Sequence, residues 1–514
     1  MSDPADFSRP ADDLPGEPTS PWLATTPDAS YPPLEADLTV DVCVVGAGIA
    51  GLSTAIELRD RGASVVVLER DHVAAGTTGK STAKVTSQHG LQYDQLHREF
   101  GSKAARQYAT VNEAAIDTIE ERIASLEIDC GFERQPSYLY GNEPDALRRE
   151  ADAAQRAGLP ASLVRSVPPF ERAQGAVKFD DQAWFHPRRY LLALAEWLHE
   201  DDDAAIYERT RVTAVDPGTR PRVRTPSGTV SANHVVLATG FPLLDRAGYF
   251  TRLYPKRSYV LAVRLGVDPP EGMYYRAGDN YRSVRTHRDA QGALLLVGGE
   301  NHKTGQGGPT RERYQRLLEW ATDRFPIEGV EYRWSTQDYV SVDGLPFVGR
   351  AGPGARNVSI ATGFGGWGMT GGTAAGELLA ESITGTDPPV LELFDPLRFT
   401  PKPSLPKTLT ENADAASQFV TDWVQALVAP DLAGISRGEG RVIRQGASPI
   451  AAARDGDGDL HTVSAVCPHT ACLVDWNDAE CTWDCPCHGS RFTPDGRLLE
   501  GPATEDLSPV DPDR

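Results

Sequence analysis

The sequence has no run of 18 or more apolar residues, and only eight of its 514 residues are lysine. The missing apolar run excludes a membrane-spanning helix. Acidic residues outnumber basic ones and give a net charge of −21, which is unfavourable for binding phosphate backbones or anionic lipid. Nucleic-acid binding and membrane-surface binding are therefore disfavoured.

The N-terminus lacks the basic start and the apolar core of a secretion signal. Residues 1–36 are instead acidic and rich in proline and serine. We expect a flexible N-terminal arm over 1–36 and a cytoplasmic protein.

Cysteine is also scarce, and seven cysteines in 514 residues do not form a disulfide scaffold. Five of the seven fall within residues 467–487, a clustering that indicates a chemical role for these side chains.

The length suits two or three domains. We predict a large domain over 37–400, a proline-rich linker with a helix (412–427) over 401–431, and a compact C-terminal domain over 432–514.

A strand–glycine–helix pattern opens the large domain. The apolar strand Leu38–Val45 runs into a glycine-rich turn, a helix over 52–61 and a second strand over 64–68. The residues expected to bind a ligand here are Gly46, Gly48, Gly51 and Glu69. Glycines permit a tight turn and close approach of a pyrophosphate, and an acid at the end of the second strand can accept hydrogen bonds from ribose hydroxyls. This pattern predicts a Rossmann-like dinucleotide site.

Further elements follow the alternation of an α/β fold. Strands are predicted over 205–215, 235–240, 254–265, 293–299 and 357–362, helices over 187–199 and 370–383, and mixed helix and loop over 71–175. The strands over 254–265 and 293–299 alternate as an antiparallel sheet does, which suits the floor of a substrate pocket.

A second glycine-rich turn, 363–368, allows two interpretations. It resembles a nicotinamide-nucleotide fingerprint, but no strand ending in an acid follows its helix. We favour a role in which the N-terminus of the 370–383 helix points at a flavin ring, because the helix dipole stabilises a reduced, anionic flavin.

Residues 38–385 resemble the FAD-dependent D-amino-acid oxidase (DAO) superfamily. The resemblance rests on the first glycine motif with Glu69, on 235–240, and on 343–349 followed by 363–376. It implies FAD bound across a discontinuous Rossmann-like domain, an inserted α+β substrate domain, and oxidation of a C–N bond. The FAD-binding residues it implies are Gly46, Gly48, Gly51, Glu69, Arg70, Gly79, Ser81, Thr239, Gly240, Asp343, Gly365, Gly368, Met369 and Thr370.

The C-terminal cysteines lie in two loops, each of which also carries a histidine. The pairs are Cys467 with His469 and Cys485 with His488. Such ligands can hold two irons asymmetrically or a single zinc ion. The Cys-x-His spacing and one additional cysteine in each loop favour an iron–sulfur cluster.

Residues 432–510 resemble a Rieske [2Fe–2S] domain, which is a small all-β fold. The resemblance implies Cys467, His469, Cys485 and His488 as the cluster ligands. It also makes Cys472 and Cys487 a candidate disulfide, since the high-potential members have one there, although a cytoplasmic location argues against a persistent disulfide.

Catalytic residues are not identified by a motif. Amine oxidation by a flavin needs positioning more than a strong base. The candidates are Arg257, Tyr259, Tyr281 and Arg282, followed by His89, His302 and Lys303, with Trp367 as a wall of the flavin site. For each of them a structural role is the alternative.

We therefore predict an FAD-dependent oxidoreductase, a dehydrogenase that oxidises a small amine or amino acid. Electrons would pass from FAD to the cluster and on to an external acceptor protein. One alternative is the reverse flow, in which an external donor protein reduces the cluster and the flavin reduces a substrate. A second is an electron-transfer module without turnover.

Overall fold

The computed structural model describes residues 14–278, 280–398, 400, 404, 407–408, 410–411, 432–445 and 448–511. Its helices are α1 (Pro21–Ala24), α2 (Ile49–Asp60), α3 (Gln92–Glu99), α4 (Ser102–Ser125), α5 (Pro144–Ala157), α6 (Pro187–His199), α7 (Arg311–Thr322), α8 (Gly368–Ile383) and α9 (Leu391–Phe394). None of these helices is long and apolar enough to cross a membrane. The predicted helix over 412–427 lies outside the described residues.

The strands belong to a parallel sheet, a largely antiparallel sheet and two small C-terminal sheets. They are β1 (Leu38–Val45), β2 (Val65–Leu68), β3 (Lys84–Val85), β4 (Glu133–Tyr140), β5 (Ala161–Val164), β6 (Ala176–Trp184), β7 (Ala204–Tyr207), β8 (Ala214–Asp216), β9 (Arg222–Arg224), β10 (Thr229–Gly240), β11 (Leu253–Leu265), β12 (Met273–Arg276), β13 (Arg282–Asp289), β14 (Gly292–Lys303), β15 (Ile327–Ser341), β16 (Phe347–Arg350), β17 (Val358–Thr362), β18 (Gly440–Gln445), β19 (Ser448–Arg454), β20 (Leu460–Ser464), β21 (Asp475–Asn477), β22 (Thr482–Asp484), β23 (Arg491–Phe492) and β24 (Leu498–Glu500).

A parallel sheet forms the core of the large domain. Its order is β17-β10-β1-β2-β7, with β16 antiparallel at one edge and β8 and β9 beside β10. Each of the four residues of β2 is buried, as expected for a strand covered on both faces. Val45 pairs with both Leu68 and Leu237, so the ends of three strands meet at one edge. That edge is where an α/β sheet binds a nucleotide.

Helices α2 and α8 pack closely on this sheet. A Cβ on Gly376 of α8 would lie 2.7 Å from the backbone of Ser53 in α2, and one on Gly372 would lie 3.2 Å from the nitrogen of Ala50. A contact of 2.7 Å is shorter than real Cβ atoms make and one of 3.2 Å is unusually tight, so the two helices touch through glycine. This contact sets the turn that precedes α8 beside the turn that precedes α2.

A second, largely antiparallel sheet forms the inserted domain. Its order is β15-β11-β14-β13-β12-β4-β6-β3, and β5 pairs with β6. The sequence predicted β11 and β14 but read 71–175 as mixed helix and loop, whereas this region also contains β3, β4 and β5. The predicted strand over 205–215 is divided into β7 and β8. Thr210 leaves the sheet between them, and its N–H donates to the carbonyl oxygen of Glu69.

The C-terminal domain consists of two small sheets, β18-β19-β20 and β21-β22-β23-β24. Trp483 and Phe492 are buried between them together with the cysteines. The predicted fold class is therefore confirmed: a Rossmann-like α/β domain with an inserted α+β domain, followed by a small all-β domain.

The flexible arm expected over 1–36 is wrong for residues 14–36. The indole of Trp22 is fully buried and donates to the carbonyl oxygen of Ser81 over 2.7 Å, and the Ser20 hydroxyl donates to the carbonyl oxygen of Gly79 over 2.6 Å. The composition suggested solvent exposure, but Leu14 and Leu34 are also buried and Arg188 binds Thr26, so several contacts hold this segment on the domain. Residues 1–13 lie outside the described residues.

Candidate active site and metal centre

A cavity of about 590 Å³ lies where the parallel sheet, the inserted sheet and the C-terminal domain meet. Ten of the residues predicted to bind FAD line it: Gly46, Gly48, Glu69, Arg70, Ser81, Thr239, Gly240, Gly365, Gly368 and Met369. They come from both glycine-rich turns, from the ends of β2 and β10, and from the segment before β3. The fold thus brings together motifs that are about 300 residues apart in the chain.

The first glycine turn leaves no room for side chains. Gly46 has a φ of +105°, and a Cβ there would lie 2.6 Å from the carbonyl oxygen of Ala238. A Cβ on Gly51 would collide with the carbonyl oxygen of Gly46. The backbone of the turn is therefore open to a ligand at the N-terminus of α2, where free N–H groups favour phosphate.

Glu69 ends β2 at the same edge of the sheet. Its carboxylate accepts hydrogen bonds from the N–H groups of Ala47 (2.8 Å) and Asp71 (2.9 Å). Burial raises its pKa, although these two hydrogen bonds oppose the shift. A fixed carboxylate beside a bare glycine turn matches the ribose and pyrophosphate of a dinucleotide, so the residues present fit FAD.

The other four residues predicted to bind FAD do not line the cavity. Gly51 and Gly79 permit close backbone packing, since a Cβ on Gly79 would collide with the carbonyl oxygen of Ala74. Asp343 is buried and forms an ion pair with Arg398 at 2.8 Å. The Thr370 hydroxyl donates to the carbonyl oxygen of Thr86 over 2.9 Å. These four residues therefore stabilise the surroundings of the cavity and do not line it.

The catalytic candidates are divided between the cavity and its surroundings. Tyr259 and Tyr281 line the cavity, and burial raises the pKa of Tyr281 to about 12. Arg257 is buried outside the cavity and forms an ion pair with Glu480 of the C-terminal domain at 2.5 Å. Arg282 forms an ion pair with Glu300, also away from the cavity.

The remaining candidates stand in hydrogen-bonded or stacked positions. The ring of His89 lies 4.8 Å from that of Trp367, and both residues line the cavity. Burial lowers the pKa of His89 to about 3. The Nε2 atom of His302 lies 3.0 Å from the Tyr259 hydroxyl, and Lys303 forms an ion pair with Glu411.

The polar side chains at the cavity that the sequence did not single out include Lys256, Asn301 and Asp338. They lie on β11, β14 and β15. Lys256 and Asn301 are next in sequence to the candidates Arg257 and His302, and Asp338 lies opposite Lys256 in the sheet. The sequence offered no signal that singled them out, because β11 and β15 carry other charged residues as well, among them Arg264 and Glu331.

The four predicted cluster ligands lie together in the C-terminal domain. Cys467 and Cys485 are buried, and their sulfurs share a hydrogen bond that lowers the pKa of the Cys467 thiol. The N–H groups of His469 and Thr470 also donate to the Cys467 sulfur. Such donors stabilise thiolates, the form that binds iron.

The two histidines face each other edge-on, with ring centroids 4.8 Å apart. The Nδ1 atom of His469 is buried and has no hydrogen-bond partner among the described residues. A buried polar atom without a partner is costly unless a ligand satisfies it. Each iron of a Rieske cluster takes two protein ligands, so a cysteine pair beside a histidine pair fits a [2Fe–2S] cluster.

Cys472 and Cys487 join the two ligand loops. They form a disulfide with their Cα atoms 6.4 Å apart. The disulfide lies next to the ligands, and its two residues are buried with them.

The ligand loops of the C-terminal domain face the large domain. The Nε2 atom of His488 lies 3.0 Å from the carbonyl oxygen of Phe250. The Tyr339 hydroxyl donates to the carbonyl oxygens of His488 (3.1 Å) and Gly501 (3.0 Å). Phe241, which lines the cavity, has its ring 5.7 Å from that of His469. Aromatic side chains thus connect the cavity with the metal centre.

Fold and site together define a flavoprotein oxidoreductase joined to a Rieske domain. The family model of FAD-dependent oxidoreductases (DAO) matches residues 41–382, and the model of the Rieske [2Fe-2S] domain matches residues 422–511. The chain belongs to the DAO family of FAD-dependent oxidoreductases and carries a C-terminal Rieske domain. FAD and a [2Fe–2S] cluster are its cofactors, as the sequence predicted.

Two relatives and one solved structure show how far the similarity extends. The chain is 38% identical over 499 residues to YhfW of Bacillus subtilis, named as a Rieske 2Fe-2S iron-sulfur protein, with 96% of this chain and 97% of the relative covered. It is 27% identical over 390 residues to gamma-glutamylputrescine oxidoreductase of Escherichia coli, covering 72% and 90%. L-proline dehydrogenase from P. horikoshii shares the fold, with a TM-score of 0.59 at 18% identity, covering 71% and 98%.

Proposed function

We propose that this oxidoreductase is a dehydrogenase that oxidises the C–N bond of a small amine or amino acid and that its electrons leave through the Rieske domain to an external acceptor protein. FAD held at Gly46 and Glu69 would supply a hydride acceptor, and a cluster held by the two Cys–His pairs would supply a one-electron carrier. The similarity to gamma-glutamylputrescine oxidoreductase, whose name specifies an amine, supports this substrate class.

The observation that carries the proposal is that the Rieske domain closes the FAD cavity. Six of its residues line the same cavity as Gly46 and Glu69: Leu498, Glu500, Gly501, Pro502, Ala503 and Thr504. A one-electron carrier at this position would be redundant if dioxygen reoxidised the flavin directly. The arrangement therefore favours a dehydrogenase over an oxidase.

The chain itself provides a shielded reaction space. Tyr275, Tyr281 and Trp367 line the cavity on the side of the inserted sheet, and Tyr275 is buried. Aromatic walls exclude water and hold the carbon of a substrate in a fixed orientation, which is what hydride transfer needs most.

An anaerobic titration with a panel of amines and amino acids tests the proposal. Flavin absorbance and the low-temperature electron paramagnetic resonance of the cluster are followed together. We expect one substrate to bleach the flavin while the Rieske signal grows. In Cys467→Ala, which lacks a cluster ligand, bleaching should occur without that signal. If neither an amine nor an amino acid bleaches the flavin while an added reductant still reduces the cluster, the proposal is wrong and flow from cluster to flavin is favoured.

A further inference from the structure

One segment of the Rieske domain forms part of the wall of the FAD cavity. The residues that line the cavity all lie within 498–504, which we call the wall segment. Pro502 and Ala503 at its centre are buried, so the segment is packed into the seam between the two domains. The cavity that contains the glycine turn and Glu69 is therefore completed by a second domain.

The wall segment meets the large domain at the end of the cavity where Glu69 lies. The N–H of Thr210 donates to the carbonyl oxygen of Glu69 over 2.8 Å. The next residue, Arg211, lines the cavity and donates from its guanidinium group to the carbonyl oxygen of Thr504. Because an acid in the position of Glu69 binds the ribose of a dinucleotide, the wall segment lies beside the nucleotide half of the FAD site.

Opposite charges hold the wall segment in this position. Arg211 forms an ion pair with Asp506 at 3.1 Å, and Lys80 lies 4.0 Å from Glu500. The Asp506 carboxylate also accepts a hydrogen bond from the N–H of Leu498 over 3.0 Å. Asp506 thus connects the start of the wall segment to Arg211, although it does not itself line the cavity.

Hydrogen bonds fix the wall segment at two further points. The Tyr339 hydroxyl donates to the carbonyl oxygen of Gly501 over 3.0 Å. The N–H of Ala503 donates to the Ser490 hydroxyl over 2.9 Å, and Ser490 lies two residues after the cluster ligand His488. The wall segment is therefore bound to the large domain on one side and to a ligand loop on the other. It leaves the cavity only when these contacts break or when the Rieske domain moves away as a whole.

We infer that the Rieske domain retains FAD, because the wall segment must withdraw from the nucleotide end of the cavity before FAD can enter or leave. The inference goes beyond the proposed function, since it concerns the binding of the cofactor and holds for any substrate. The free energy of this local opening sets the rate at which bound FAD escapes. Weaker docking of the Rieske domain should therefore speed the loss of FAD even where every residue of the glycine turn is intact.

The rate of FAD release from the holoenzyme tests this inference without turnover. The holoenzyme is diluted, and gel filtration at intervals gives the fraction of FAD that is still bound. We expect Arg257→Met, which breaks the buried ion pair with Glu480 outside the cavity, to release FAD at least about 10-fold faster. Arg134→Met, which breaks ion pairs on the surface of the large domain, is the matched control and should release FAD like the wild type.

A second variant acts on the wall segment with little effect on the fold. Asp506 is exposed, and Asp506→Asn keeps an acceptor for the N–H of Leu498 but loses the ion pair with Arg211. We expect release to accelerate about 2–5-fold, as the loss of a partly exposed ion pair allows. Higher salt should accelerate release in the wild type and have less effect in Asp506→Asn, because screening weakens the same pair. Glu505→Gln, at the adjacent exposed carboxylate, is the control and should behave like the wild type.

The outcomes decide the inference independently of the substrate. If Arg257→Met is folded and releases FAD at the wild-type rate, or if Arg134→Met accelerates release equally, the inference is wrong. If Arg257→Met does not fold, Asp506→Asn decides alone, and a rate equal to that of Glu505→Gln would overturn the inference. An enzyme whose flavin no amine or amino acid reduces would contradict the proposed function and leave these release rates unchanged.

Discussion

The Nε2 atom of His488 lies 3.0 Å from the carbonyl oxygen of Phe250, so a ligand of the metal centre contacts the main chain of the large domain. The ring of Phe250 is close to His488 as well, with centroids 6.3 Å apart. On the other ligand loop, Pro468 and Thr470 are exposed to solvent. One side of the metal centre therefore faces the FAD domain, and the other side is accessible from outside.

Tyr339 connects the two domains, and its removal should slow electron transfer between them. In Tyr339→Phe the hydrogen bonds to the carbonyl oxygens of His488 and Gly501 are lost. Stopped-flow spectroscopy should show an unchanged rate of flavin bleaching and a several-fold slower appearance of the reduced cluster. Tyr332→Phe, on the same strand but outside the cavity, is the control. Equal cluster-reduction rates in both variants would exclude this role of Tyr339.

The buried ion pair between Arg257 and Glu480 should stabilise domain docking. In Arg257→Met, Glu480 loses one of its two guanidinium partners, and Arg491 alone remains. Breaking a buried pair by removing one partner costs about 3–5 kcal/mol. We expect the first urea-unfolding transition to occur at a lower urea concentration, with its free energy of unfolding reduced by about 3–5 kcal/mol.

The matched control for that variant is Arg134→Met. Arg134 pairs with Asp117 and Glu120 on the surface, where ion pairs contribute about 0–1 kcal/mol. Equal shifts for the two arginine variants would show that the interdomain pair adds nothing beyond a surface pair.

Acidification should weaken the interdomain charge cluster. Burial raises the pKa of Glu500, but Arg491 and other cations more than offset this and lower it from 4.5 to about 2. A carboxylate with a lowered pKa contributes stability that is present above its ordinary pKa and is lost as the pH falls through the folded value. Between pH 4.5 and 2, the near-ultraviolet circular dichroism of the wild type should fall more steeply than that of Glu500→Gln. Parallel curves would contradict this.

Gly51 should be indispensable for FAD binding. A Cβ at this position collides with the carbonyl oxygen of Gly46, so Gly51→Ala must displace either α2 or the nucleotide turn. We expect the purified variant to lose most of its FAD, as judged by absorbance. Gly329→Ala in β15, where a Cβ meets no atom within 4 Å, should keep a full complement. Normal FAD content in Gly51→Ala would refute the packing explanation.

The local motifs were predictable from the sequence because their chemistry lies within a few residues. The glycine turn with Glu69 gave the nucleotide site, and helix α6 was predicted with the bounds that the structure shows, Pro187–His199. The two Cys–His pairs likewise indicated the iron–sulfur centre without reference to the rest of the chain.

Long-range contacts were not predictable in the same way. Arg257 seemed a candidate for binding a substrate carboxylate, but its partner Glu480 lies 223 positions further along the chain. Lys256 and Asp338 line the cavity together only because the register of β11 and β15 places them opposite each other. Neither pairing leaves a trace in spacing or periodicity, because both depend on the register of strands and on the docking of the second domain.

The most direct test of the central claim is an anaerobic titration in which the holoenzyme is mixed with increasing amounts of its reducing substrate. A protein with one flavin and one Rieske cluster takes up three electrons, so full reduction should need about 1.5 equivalents of a two-electron donor. We predict that flavin bleaching precedes the Rieske signal and that both reach completion at this ratio. Reduction that ends at about one equivalent, with the cluster still oxidised, would show that electrons from the flavin do not reach the Rieske domain.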